Sequence, residues 1–223
     1  MDFMKLLKSL EELLYEVMVM LVFYPKTLWL TFRYPQRMMD YADTELGDVQ
    51  TEQYNDTLSP PLFLMICLAI SQGIEVVSKG DAGTATLPAF LQSTENLLAF
   101  RVFVFSLFPL AMALRLLAGM NAPLDRETLR APFYSQCFVT APFAMLLGVS
   151  LSMRNFDVEY IDEAASLLLA LSLGWYIRQQ AHWFKAKLKT GPARSWAIAV
   201  STFLSATLLL LLVSLALLFM TRT

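Results

Sequence analysis

Glu75 and Arg101 are the first candidates for chemistry in this chain, because both lie in long apolar runs. An ionisable group in hydrocarbon is costly unless it is paired or wetted. Glu75 stands near the end of one run and Arg101 near the start of the next. If those runs are antiparallel neighbours, the two side chains reach similar depth and can form an ion pair. Such a pair can couple or bind a substrate, fix the register of two helices, or serve as two charges that reach for the outer surface. A second group gathers at the other ends of the runs: Arg115, Arg178 and His182. Arg178 and His182 are four apart and share a helical face, which Lys185 and Lys189 continue as a basic stripe. The stripe can meet lipid phosphate, hold the acidic stretch Asp40 to Asp56, or act only as an orientation signal.

His182 is the sole histidine, with no cysteine or carboxylate at ligand spacing, so it predicts no metal site. No serine stands in a Gly-x-Ser-x-Gly elbow and no Gly-rich loop could cradle a phosphate. The expectation is a non-enzymatic protein without catalytic residues, metal or cofactor. Cys67 and Cys137 fall inside apolar runs, where they read as packing residues rather than a disulfide. Pro109 and Pro142 are candidate kink positions. Broken helices line cavities in transporters, though proline is also common in ordinary membrane helices. Gln72, Gln136, Gln179 and Gln180, with Tyr134 and Thr140, would give a modest polar interior that favours packing before transport.

The elements that carry these residues are five apolar runs, roughly Pro60 to Val77, Leu97 to Leu117, Pro132 to Met153, Ala164 to Phe184 and Ser195 to Met220. Each is long enough to cross hydrocarbon about 30 Å thick, which takes ~20 residues. Their connections alternate in Lys and Arg, and cytoplasmic loops hold the excess. The first 59 residues carry Lys5, Lys8, Lys26, Arg33 and Arg37, and the next connection only Lys79. Arg126 and Arg130 follow, then Arg154 alone, then Lys185, Lys187, Lys189 and Arg194, with Arg222 in the tail. The pattern predicts five spans with the N-terminus cytoplasmic and the C-terminus external. With 57% hydrophobic and 16% charged residues, the composition fits a membrane protein. A net charge of -2 argues against nucleic acid as a partner.

Residues 3 to 23 place apolar side chains at helical spacing, with Lys5, Lys8, Glu11, Glu12 and Glu16 mostly off that stripe. No small-residue cleavage site follows, so no cleavable signal peptide is expected. The segment predicts an amphipathic helix in the cytoplasmic interface, ended by Pro25 and Lys26, or one packed on the inner ends of the spans. Tyr24 to Tyr41 is rich in aromatic and basic residues, and Lys26, Arg33 and Arg37 suit anionic lipid. Asp40 to Asp56 then turns acidic without a Lys or Arg, a solvated connector or a strip that docks on a basic face. Leu58-Ser59-Pro60-Pro61 opens the first span, with serine as cap and proline in the first turn. The connection Ser78 to Asn96, with KGDAGTATLP, reads as a turn-rich external loop.

LSPPLFLMICLAIS at the start of the first span and LRAPFYSQCFVTAPFAMLLG in the third resemble the Yip-type (Ypt-interacting protein) family of five-span membrane proteins, in its permease-like bacterial branch. The resemblance covers about residues 20 to 220 and includes the N-terminal amphipathic segment. It implies a helical membrane bundle. The N-terminal motifs that carry small-GTPase binding in eukaryotic members have no match here, so that activity is not implied.

The fold expected is all-α, a polytopic bundle of five transmembrane helices with an N-terminal interfacial helix. Residues 1–59 form the cytoplasmic segment and acidic linker, and 60–223 the membrane domain. The function expected is a scaffold or accessory protein of the bacterial inner membrane, with a small-solute or lipid permease as the alternative. Its partners are the lipid bilayer and a protein recruited through the N-terminal segment, and the reading admits a homo-oligomer.

Overall fold

The apolar runs become helices that overrun their hydrophobic limits by about a turn, because polar caps hold the extra turn outside the core. The computed structural model describes residues 3–47, 53–79 and 93–220. Among these are seven helices: α1 (Phe3–Arg33), α2 (Pro35–Glu45), α3 (Pro60–Lys79), α4 (Thr94–Met120), α5 (Arg126–Met153), α6 (Ile161–Leu188) and α7 (Pro192–Met220). Asp48 and Glu52 of the acidic stretch, most of the connection after Lys79, and Arg222 lie outside the described residues. α3 opens at Pro60, with the Phe63 amide bonded to the Ser59 carbonyl. Ser93 caps α4 through the Asn96 amide. At α5 the Asp125 carboxylate accepts from the Glu127 and Thr128 amides at 2.9 and 2.8 Å, and the Thr128 hydroxyl faces back to the cap.

α5 is the axis of the bundle, packing against α2, α3, α4 and α6. Every residue from Ser135 to Ala144 is buried. α3 runs parallel to α5: Phe63 meets Phe138, Gly148 lies against Ser71, and Ser78 accepts from Asn155 at 3.0 Å. A β-carbon at Gly148 would collide with the Ser71 side chain, so the glycine is what lets the two helices approach. α6 runs antiparallel to α5, with Gln180 opposite Gln136 and Tyr176 stacked on Phe143 at 4.5 Å. Phe108 of α4 and Phe203 of α7 complete this aromatic centre. Such ring pairs add about 0.5–1.5 kcal/mol each beyond their buried area. Pro109 and Pro142 are buried, and α4 and α5 continue unbroken through them.

Among the described residues, five helices are long and apolar enough to cross a membrane, over Leu7–Arg33, Pro60–Ser78, Thr94–Met120, Arg126–Met153 and Pro192–Ala216. They are not the five runs expected, for α1 takes the place of α6. α1 gains its length by continuing through Pro25, where the sequence predicts an end. A proline inside a helix costs about 3 kcal/mol, and here the turns beyond it dock on the bundle. Tyr24 packs on Phe63 and donates to Met145 at 3.2 Å, Thr27 accepts from the Leu58 amide at 3.1 Å, and Phe32 meets Trp175. Those contacts pass from α3, over Met145 of α5, to Trp175 of α6 within nine residues, so this half of α1 crosses over α5 from one neighbour to the other. α6 misses the apolarity of a span because Arg178, Gln179, Gln180 and His182 interrupt it. Gln179 and Gln180 are buried against protein rather than lipid.

Candidate functional site

α2 decides how the charges at one end of the bundle are used. Its sequence PQRMMDYADTE puts Met38, Met39 and Ala42 on one face, and all three are buried against the bundle. Asp43, four residues from Met39, lies at the edge of that face, and Asp40 lies about 100° around from Met39. The acidic stretch is therefore not a bare connector over this part; its first half is a docked helix. Lys187 of α6 pairs with Asp43 at 2.8 Å and with Asp40 at 3.0 Å. Ser135 of α5 stands 2.7 Å from the Met39 carbonyl and 2.9 Å from the Asp43 carboxylate, sharing its one proton between them. The Gln36 amide donates to the Gln179 carbonyl at 3.0 Å and to its side-chain oxygen at 3.1 Å. Burial pulls the Lys187 ammonium down, but the bonds to Asp43 and Asp40 outweigh it, and its pKa is raised.

The turn ahead of α3 is tied down by the same logic. Lys26 donates to the Asp56 carbonyl at 2.7 Å and lies 3.4 Å from its carboxylate, and Tyr41 donates to that carboxylate at 2.6 Å. The Tyr41 hydroxyl, then burial working against it, then Lys26 leave the Asp56 pKa below its ordinary value. A groove of about 310 Å³ opens here, lined by Lys26, Tyr34, Arg37, Tyr41, Asp56 and Thr57.

Arg178, His182, Lys185 and Lys189 do not hold the acidic residues. All four are exposed and carry no ion pair among the described residues. Helical geometry explains the division. At about 100° per residue, positions 182, 185 and 189 fall within roughly 40° of Arg178, whereas 187 is turned by about 180°. Lys187 thus faces inward, and the stripe faces outward. That assignment was open to a helical projection of the sequence, but the partner of Lys187 was not. Arg115 lines a separate groove of about 410 Å³ between α4 and α7, facing Ser201, Thr202 and Ser205.

At the other end Arg101 donates to Glu75, so the two charges singled out from the sequence do pair, joining α3 to α4. Nearby, Gln72 donates to the Thr94 carbonyl at 2.8 Å. Between the two ends lies a polar seam within the aromatic bundle. Gln180 donates to Gln136 at 2.6 Å, which leaves Gln136 Nε2 and Gln180 Oε1 buried without hydrogen bonds among the described residues. The Tyr176 hydroxyl approaches Thr140 and Gln180 without a hydrogen bond of good geometry to either, and Trp183 Nε1 is likewise unpaired. Cys67 and Cys137 are buried and free. Among the described residues no three His, Cys, Asp or Glu gather as metal ligands.

Comparison with known protein families, with characterised proteins and with solved structures finds no match to this chain.

Lys187→Gln should cost about 1 kcal/mol and loosen α2, a value discounted because Asp40 is 64% and Lys187 28% exposed. Lys185→Gln should stay within about 0.5 kcal/mol, by thermal unfolding in detergent. Because the Lys187 pKa is raised, its contribution is complete below its ordinary value of 10.5 and is lost as pH rises through the folded value. Equal effects of the two substitutions would refute the division of charges. Gln136→Leu leaves the Gln180 amide stranded and should cost about 1–3 kcal/mol, whereas Gln136→Leu with Gln180→Leu should recover most of that loss. A double variant weaker than the single one would show the seam to be held otherwise.

Proposed function

We propose that this integral membrane protein is a non-enzymatic scaffold or accessory protein of the bacterial cytoplasmic membrane, with the end that carries α2 facing the cytoplasm. One observation carries the reading: α1 is divided. From Tyr24 to Phe32 it is fastened to α3, α5 and α6, while every described side chain from Met4 to Met18 is exposed. Leu7, Leu10, Leu14 and Met18 give that free half a continuous apolar side. A helix anchored at one end and bare along the other is built to meet something outside the bundle, either a partner protein or the lipid surface. In this reading α3 to α7 cross the bilayer and α1 lies along its cytoplasmic side, supported by the bonds of Lys26 and Thr27 to Asp56 and Leu58 at the turn ahead of α3. The Yip-type kinship is part of the same proposal, supported by the proline opening of α3 and by a helix ahead of the bundle.

A second reading, a small-solute or lipid permease, is favoured by the unpaired polar atoms of Gln136, Thr140, Tyr176, Gln180 and Trp183 in the α5–α6 seam. Under it, the Gln136→Leu with Gln180→Leu protein stays folded but loses flux.

The scaffold reading is tested by purifying the full chain, and a chain lacking residues 1–18, in mild detergent. A protein at stoichiometric level should accompany the first and be lost from the second, with unchanged thermal stability because Tyr24 to Phe32 remain. The same companions on both chains, or none on either, would overturn it. Orientation is tested with reporters at each terminus: the one after Thr223 should read external and the one ahead of Met1 cytoplasmic. Both on one side would overturn the arrangement in which α3 to α7 cross and α1 does not.

A further inference from the structure

We propose that the groove between α4 and α5, at the end of the bundle that carries α2, holds one phospholipid whose headgroup bears a phosphate and a primary ammonium, of the phosphatidylethanolamine type. The groove encloses about 730 Å³, within the range that holds ligands. Its lining is graded along the helix axis. Arg126, Glu127 and Arg130 belong to the opening turns of α5, while Phe133 and Tyr134 follow further along it and Leu110 joins them from α4. From Arg126 to Tyr134 is about 12 Å at 1.5 Å per residue, the distance over which a leaflet itself passes from headgroup to hydrocarbon. A lipid laid in the groove keeps its phosphate level with the guanidinium groups and its acyl chain against Phe133 and Leu110.

Arg126 and Arg130 are four apart and share one face of α5, and neither forms an ion pair with a described residue. The Arg130 guanidinium lies over the Tyr134 ring, 5.4 Å from its centroid, which restrains the side chain in the groove. The backbone amides of this helix end do not compete for the anion, since Asp125 already takes those of Glu127 and Thr128. An incoming phosphate therefore meets two planar guanidinium forks, the donors best matched to its oxygens. Glu127 belongs to the same lining, about 60° around the helix from Arg130. Its carboxylate disfavours a headgroup with no cation to offset the phosphate and accepts hydrogen bonds from an ammonium. The three charges thus match a zwitterion bearing N–H donors, not an anionic glycerol headgroup or a trimethylated amine.

The test is native mass spectrometry of the full-length protein in mild detergent, titrated with phosphatidylethanolamine, phosphatidylglycerol and phosphatidylcholine of the same acyl chains. The protein should retain one phosphatidylethanolamine in preference to either of the others. Arg126→Gln with Arg130→Gln should reduce that retention about thirtyfold, each charge near the surface contributing about fivefold. Glu127→Gln should abolish the preference over phosphatidylglycerol. These side chains are solvent-facing, so helicity and thermal unfolding should not change, and both are measured on every variant. Lys185→Gln with Lys189→Gln, which removes equal charge from the outward stripe, should leave retention as it was. Equal retention of the three lipids, a preference for phosphatidylglycerol, or equal losses from the groove and stripe variants would each overturn the proposal.

Discussion

The burial of α5 on all sides is the constraint from which the rest of the structure follows. From Ser135 to Ala144 no residue of this helix reaches the surface. In a bilayer, lipid tails are as apolar as leucine, so hydrophobicity alone does not draw helices around a central one. Close approach and internal hydrogen bonding must do so. Gly148 lets α3 come in against Ser71, Gln136 meets Gln180, and Ser135 reaches back to α2. Phe143 supplies the broad contact on which Tyr176, Phe108 and Phe203 gather. α3, α6 and α2 are therefore each held by a different device, and α4 shares the ring of Phe143 with α6.

At the end that carries α2 the same helix end serves two purposes without conflict. Lys187, turned inward and partly withdrawn from water, is held to two carboxylates that belong to the first 59 residues. Charges brought together at reduced dielectric interact more strongly than those on an open surface. The three other basic side chains of α6, with Lys189 just beyond its end, keep their hydration and face outward. From Tyr24 onward the described part of the N-terminal segment packs against the bundle and is not a tether hung from it. What remains outside the bundle is the first half of α1, and the functional proposal rests on that contrast.

The site residues were legible to unequal degrees. Glu75 and Arg101 were readable because burial in hydrocarbon singles out any charge, and the hairpin of α3 and α4 puts them at one depth. The outward stripe was readable because its spacing is that of a helix face. Lys187, Ser135 and Gln36 were not, for nothing in their local sequence distinguishes them from other polar residues at a helix end. Their partners lie between 92 and 147 positions away along the chain.

Apolar length and the placement of Lys and Arg are properties of short stretches of chain, so the sequence by itself determined an all-helical membrane protein with one strongly basic set of helix ends. The continuation of α1 through Pro25, the docking of the acidic α2, and the burial of polar α6 against α5 depend on surfaces brought together from distant segments. A proline can be overridden, and a glutamine can lie inside the bundle, only when a neighbouring helix supplies the contact that offsets its cost. Those contacts exist in the tertiary structure alone, and there they were decided.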